Sequence, residues 1–104
     1  MALQYSSNIY LGRLDLVEST TGASALLKIY SGSPTANCAA AAPTGLLATL
    51  TLPSDWMNAA SGTTKTLLGS WTGTASAGSA TAPESFSIYN SGDTVCHIQG
   101  SAGV

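Results

Sequence analysis

Charge is the scarcest property of this chain. Eight of its 104 residues are Asp, Glu, Lys or Arg, for a formal net charge of −2. Soluble surfaces ordinarily carry roughly 25–35% of these residues, and a net charge away from zero opposes self-association. A free monomer without that protection is expected to associate, so a lasting partner or a homo-oligomer is the expectation here. The three basic residues, Arg13, Lys28 and Lys65, are isolated from one another. Neutralising a phosphate backbone takes clustered Lys and Arg, which argues against nucleic acid as a partner.

Reactive side chains are nearly as rare. His97 is the only histidine. In a strand its neighbour Cys96 points to the opposite face, and Asp93 sits about 13 Å away along the chain. Asp15 and Glu18 are three apart on a predicted helix, near enough for a weak cation site but more simply read as its solvated face. Gly73 and Gly78 have phosphate-loop spacing, yet Ser79 stands where the lysine is needed. We therefore expect no enzyme, no catalytic residue, no metal site and no cofactor.

Long apolar runs are missing as well. Nothing approaches the roughly 18 consecutive apolar residues of a membrane span, and no basic segment followed by an apolar run opens the chain. No membrane association and synthesis in the cytosol are the expectations. Cys38 and Cys96 lie far apart with no CxxC pair. Two buried, inert thiols are the default in a reducing compartment, and a disulfide tying a loop to a late strand is the alternative.

What the chain has in abundance is small residues: 16 Ala, 15 Ser, 13 Thr and 11 Gly make up more than half of it. Leu, Ile, Val and Phe together number 20, so the core is small for a single domain spanning residues 1–104. Disorder normally goes with high net charge, which is absent here. A folded domain with long small-residue loops fits better.

The apolar pattern changes once along the chain. Tyr10, Leu14 and Val17 follow helical spacing, and Leu3 extends the stripe one heptad back. Ser6 or Ser7 can cap the start and Gly22 the end, which predicts a helix over residues 6–20. Residues 24–100 then read as a β core. Ala25, Leu27 and Ile29 alternate with Leu26, Lys28 and Tyr30, and the period-2 pattern from Leu46 to Leu52 is the clearest strand. A further extended run is predicted over residues 64–72, with Gly69 marking a bulge. Phe86 and Ile88, the Asn90-Ser91-Gly92-Asp93 turn, and the alternation from Thr94 to Gln99 predict a hairpin.

Two stretches, residues 33–44 and 73–83, are nearly pure small residues and predict long loops. The resulting fold class is mainly β: a small antiparallel β-sandwich or partly open barrel with one N-terminal α-helix. Its edge strands carry no row of lysines to block pairing.

Several words of the chain carry a resemblance. The opening Met-Ala-Leu-Gln-Tyr-Ser, Arg13-Leu14-Asp15, Ile29-Tyr30-Ser31-Gly32, Asn37-Cys38-Ala39-Ala40, Leu46-Leu47-Ala48, Leu52-Pro53-Ser54-Asp55-Trp56-Met57, Ile88-Tyr89 and Cys96-His97-Ile98-Gln99-Gly100 together resemble a family of small tailed-bacteriophage virion proteins. The family commonly continues past the Gln-Gly pair with further strand-forming sequence, where this chain has Ser-Ala-Gly-Val. The resemblance implies a non-enzymatic structural role in the virion without assigning any residue a task. A capsid cement or decoration subunit that bridges major capsid proteins, oligomeric within the particle and made in the host bacterial cytoplasm, is the leading expectation. A tail, neck or fibre component is the alternative within the virion. A host-surface or carbohydrate-binding module using Tyr5, Tyr10, Tyr30, Tyr89, Trp56 and Trp71 is the alternative outside it. The expected contact residues are Tyr5 and Tyr10, Trp56 and Met57, and the loop from Gly73 to Pro83. For Trp56 and Met57, closure of the core beside a strand is the competing reading.

Overall fold

A computed structural model describes residues 3–75 and 82–102. The domain is mainly β and antiparallel throughout, with one N-terminal helix. Helix α1 (Ser7–Thr21) is followed by strands β1 (Leu26–Tyr30), β2 (Leu46–Thr51), β3 (Ser85–Tyr89) and β4 (Cys96–Ser101). The sheet order is β2-β1-β3-β4. The sheet stays open, and both its faces are covered by irregular chain.

Helix α1 starts where Ser6 turns extended, its carbonyl accepting from the Ile9 and Tyr10 amides at 3.0 and 3.2 Å. It stops at Gly22, whose φ of 92° is open to glycine and strained for other residues. The Gly22 amide donates back to Glu18 O at 2.8 Å. Thr21 is the only buried residue of the helix. The predicted stripe is thus not a core face: Leu14 is half-buried, and Tyr10 and Val17 are exposed.

Strand register sorts the side chains into two layers. Leu27 pairs with Ile88, Ile29 with Phe86, and Ile88 with Ile98, so these apolar residues share one face. Ala25, Leu52 and Trp56 form the buried core with Ile88 of that face, and Met57 and Trp71 pack alongside. Trp56 is 1% exposed, and its Nε1–H donates to Gly22 O at 2.9 Å. That bond ties the core directly to the end of α1. Trp71 stacks on Trp56 at 5.7 Å, tilted by 53°.

The predicted strand at residues 64–72 does not join the sheet. The chain there pairs locally instead, through Met57 with Leu67 and Ser61 with Thr64, while Leu68 N donates to Trp56 O at 3.0 Å. The physical reason is Trp56: it draws Leu68 and Trp71 to its own layer above the sheet. Gly69, expected at a bulge, has φ 76°, and an added Cβ there would sit 2.7 Å from Pro53 Cγ.

The opposite face carries Lys28, Tyr30, Ser85, Ser87 and Tyr89. Ser85 and Ser87 are only 1% and 2% exposed, because residues 31–40 fold over them. At the base of that cover, Ser31 N donates to Gly45 O and Gly32 N to Thr44 O. Further along, Ser85 Oγ donates to Gly32 O at 2.6 Å, and Gln99 Nε2 donates to Thr35 O at 2.8 Å. The predicted 33–44 loop is therefore a lid on the sheet and not a free surface excursion. Of the predicted 73–83 loop, residues 76–81 lie outside the described residues.

A bulge between Ile88 and Tyr89 skips one residue of β4, so that Ile98 pairs with Ile88 while Cys96 pairs with Tyr89. His97 is the extra residue. Plain alternation would put Cys96 on the face of Ile98; the bulge turns it to the covered face instead.

Candidate interaction surface

The N-terminal arm and helix present six of the nine exposed large apolar side chains among the described residues. Leu3 is 78% exposed and Leu16 60%, and Tyr5, Ile9, Tyr10 and Val17 are all near 40%. Tyr5 and Tyr10 meet edge to face at 6.2 Å, with the Arg13 guanidinium 5.4 Å over the Tyr5 ring. These contacts order the aromatic pair without covering it. Exposed apolar patches mark interaction sites in soluble proteins.

The helix is tied down at discrete polar points. Lys65 Nζ and the Ala60 amide both donate to Asp15 Oδ1 at 2.8 Å. The Lys65 bond, and secondarily the Ala60 amide, hold the Asp15 carboxyl below its usual pKa. Asp15 and Glu18 were expected on a solvated face; the Asp15 side chain is 48% exposed and also links α1 to residues 60–65. Beside it, α1 and β4 leave a groove of about 200 Å³ lined by Arg13, Leu16, Val17, His97 and Ile98 among others. A second hollow, of about 290 Å³, is lined by Tyr10, Arg13, Leu14 and Thr63. Together these indent one end of the molecule, with largely apolar walls and Arg13 lining both hollows.

The other expected contact residues fare differently. Trp56 is core, as its burial and its bond to Gly22 require, so it offers nothing to a partner. Met57 is half-buried against the same cluster. Gly73 is exposed, and its backbone lies so close to Leu50 that an added Cβ would sit 2.6 Å from Leu50 Cγ. Pro83 is half-buried. Tyr5 and Tyr10 come together at the surface, and Trp56 and Met57 in the core. Ile9 and Leu16 are exposed on the same helix as Tyr10 and were missed, because they fall outside the Tyr10, Leu14 and Val17 stripe.

On the covered face a polar cluster forms. Lys28 pairs with Asp93 at 2.7 Å and lies 4.9 Å over the Tyr89 ring. Burial, then a bond with Tyr30, pushes the Tyr89 phenol up to about 12. Burial, then contact with the Cys38 thiol, pushes Cys96 from 9.0 up to about 11. Both groups are held neutral in the fold, so their contribution to stability is complete below the ordinary thiol pKa and is lost as pH rises through the folded values. We predict that the urea midpoint is flat from pH 7 to 9 and falls between about 9 and 11. A Cys96→Ser chain should show a weaker fall over that window.

Among the described residues, no three of His, Cys, Asp and Glu come together as a metal-binding set. No helix among them is long and apolar enough to cross a membrane. Asp93, the nearest carboxylate to His97 in sequence, is engaged by Lys28. Comparison of the chain with protein-family models, with curated proteins and with solved structures finds no match in any of the three.

Proposed function

We propose that this chain is a non-enzymatic virion structural subunit, a capsid cement or decoration protein that bridges neighbouring major capsid proteins. The observation that carries this reading is helix α1, which buries one residue in its own fold and turns Ile9, Tyr10, Leu16 and Val17 outward. A helix exposed in this way gains stability when an apolar groove receives it. The outer edge of β4 has no strand partner among the described residues, which leaves a second docking element for strand addition. The near absence of charge permits close approach to neutral neighbours, and many copies on one shell multiply weak contacts. The resemblance to small tailed-phage virion proteins supplies the setting. Work is done by adhesion, with no turnover.

The same surface serves a tail or neck subunit, so the location has to be imaged. Reconstruction of purified particles is expected to place density for this fold at regularly repeated capsid positions; density confined to the tail removes the cement reading. The carbohydrate alternative loses its best platform, since Trp56 is buried and Trp71 spends its Nε1–H on Trp56 O and Leu68 O. Binding to particles stripped of the chain should weaken about 30-fold or more for Ile9→Asp or Leu16→Asp, the size of an interface hot spot. Both positions are exposed, so unchanged Trp fluorescence would show that the fold survives. Unchanged binding by both variants would remove α1 as the docking element.

A further inference from the structure

Cys38 and Cys96 are far apart in sequence, yet both line the same cavity. Three independent features put them there. The base of the 33–44 lid is closed by the Ser31–Gly45 and Gly32–Thr44 backbone bonds. The middle of the lid is held on β4 by Thr35 and Gln99, which exchange two hydrogen bonds at 3.0 and 2.8 Å. The bulge at His97 turns Cys96 to the lid side of the sheet. Both thiols are free and half-buried, and both line one open cavity of about 390 Å³ with Ala39, Ala40, Tyr89 and Val95. A small molecule can therefore reach the pair from solvent.

We infer that Cys38 and Cys96 form a reversible redox clip, closed by exchange with a small-molecule disulfide, that fastens the 33–44 lid to β4. The inference does not rest on a virion role. The Cys38 thiolate attacks one sulfur of the incoming disulfide, and the first small thiolate leaves. Cys96 then gives up its proton and attacks the Cys38 sulfur of the mixed disulfide, expelling the second small molecule as its thiolate. Two protein thiols are oxidised, one disulfide is reduced to two thiols, and the two protons lost by the cysteines end on the leaving groups. Cys38 is the entry point because it sits on the lid; Cys96, its thiol held protonated by burial, is the resolving partner.

The test incubates the reduced full-length chain with mixtures of reduced and oxidised glutathione, quenches by alkylation, and maps peptides without reductant. The expected product is an intrachain Cys38–Cys96 bond, with glutathionylated chain only as a transient. Hydrogen exchange of lid amides over residues 35–42 should slow about tenfold or more on oxidation and return when reductant is added. Cys96→Ser should stop at a stable Cys38–glutathione mixed disulfide. Lasting glutathione adducts or disulfide-linked dimers of the native chain would overturn the inference, as would an intrachain bond that leaves lid exchange unchanged. The decisive arms use the unaltered chain, so the result stands even where a variant folds poorly.

Discussion

Trp56→Ala is expected to cost about 3–5 kcal/mol, the range for emptying a fully buried large aromatic site. Small domains have roughly 5–15 kcal/mol in all, so this one change should leave a large unfolded population. The indole is the centre of the core above the sheet, touching the cluster of Ala25, Leu52 and Ile88 and stacking on Trp71. It also satisfies the Gly22 carbonyl at the end of α1, so its loss frees the helix as well as opening a cavity. Trp56→Phe separates the two effects. It keeps most of the apolar volume and leaves Gly22 O without its donor, a loss of about 1–3 kcal/mol. Urea titration followed by far-UV circular dichroism reads both. A cost below about 1 kcal/mol for Trp56→Ala would mean that the indole is not the core residue described above.

The second large effect is expected at Gly45. Its φ of 76° is disfavoured for a residue with a side chain. An added Cβ would also overlap Ser31 Oγ, across the backbone bond that closes the lid. Gly45→Val should therefore cost about 1–3 kcal/mol, the usual size of a forced backbone outlier. It should raise exchange at residues 31–44 before it affects the β3–β4 hairpin. Gly12 is the control, because nothing lies within 4 Å of an added Cβ there and the residue is helical. Gly12→Ala should raise stability by about 0.5–1 kcal/mol. Equal effects at the two glycines would show that the left-handed turn at Gly45 matters no more than an ordinary position.

Much of the fold was legible because local signals agreed with one another. Ser6 and Gly22 bracket α1 to within one residue of its predicted ends, since a cap and a left-handed stop are local chemistry. The strands containing Leu27, Leu50 and Ile88 declared themselves by period-2 alternation. The β3–β4 hairpin was readable from Asn90, whose Oδ1 accepts from the Thr94 and Val95 amides at 2.8 and 3.1 Å. The bulge at His97 had no such signal: neither Gly nor Pro marks it, and it is set by pairing with a distant strand. Meeting of Cys38 and Cys96 depends on that bulge, so neither could be read from spacing.

Burial was the less legible property. Leu67, Leu68 and Trp71 have the makings of a strand, but only the position of Trp56 decides that they pair locally. The α1 stripe has helical spacing whether it faces a core or a partner, and sequence alone cannot tell these apart. The same ambiguity left Trp56 between core closure and a partner contact, and kept Ile9 and Leu16 out of the expected contacts.

The order β2-β1-β3-β4 also governs how the chain reaches this state. Strand β1 stands in the middle, yet one of its ladders pairs Tyr30 with Ser85 and Leu26 with Tyr89, more than 50 residues on. Closing so long a loop carries an entropic penalty before any contact repays it, and topologies dominated by such pairings fold in milliseconds to seconds. On the ribosome, β1 and β2 emerge long before β3. For that interval the inner edge of the future central strand is open to any other chain, which makes the nascent N-terminal half the point of greatest exposure to misassembly.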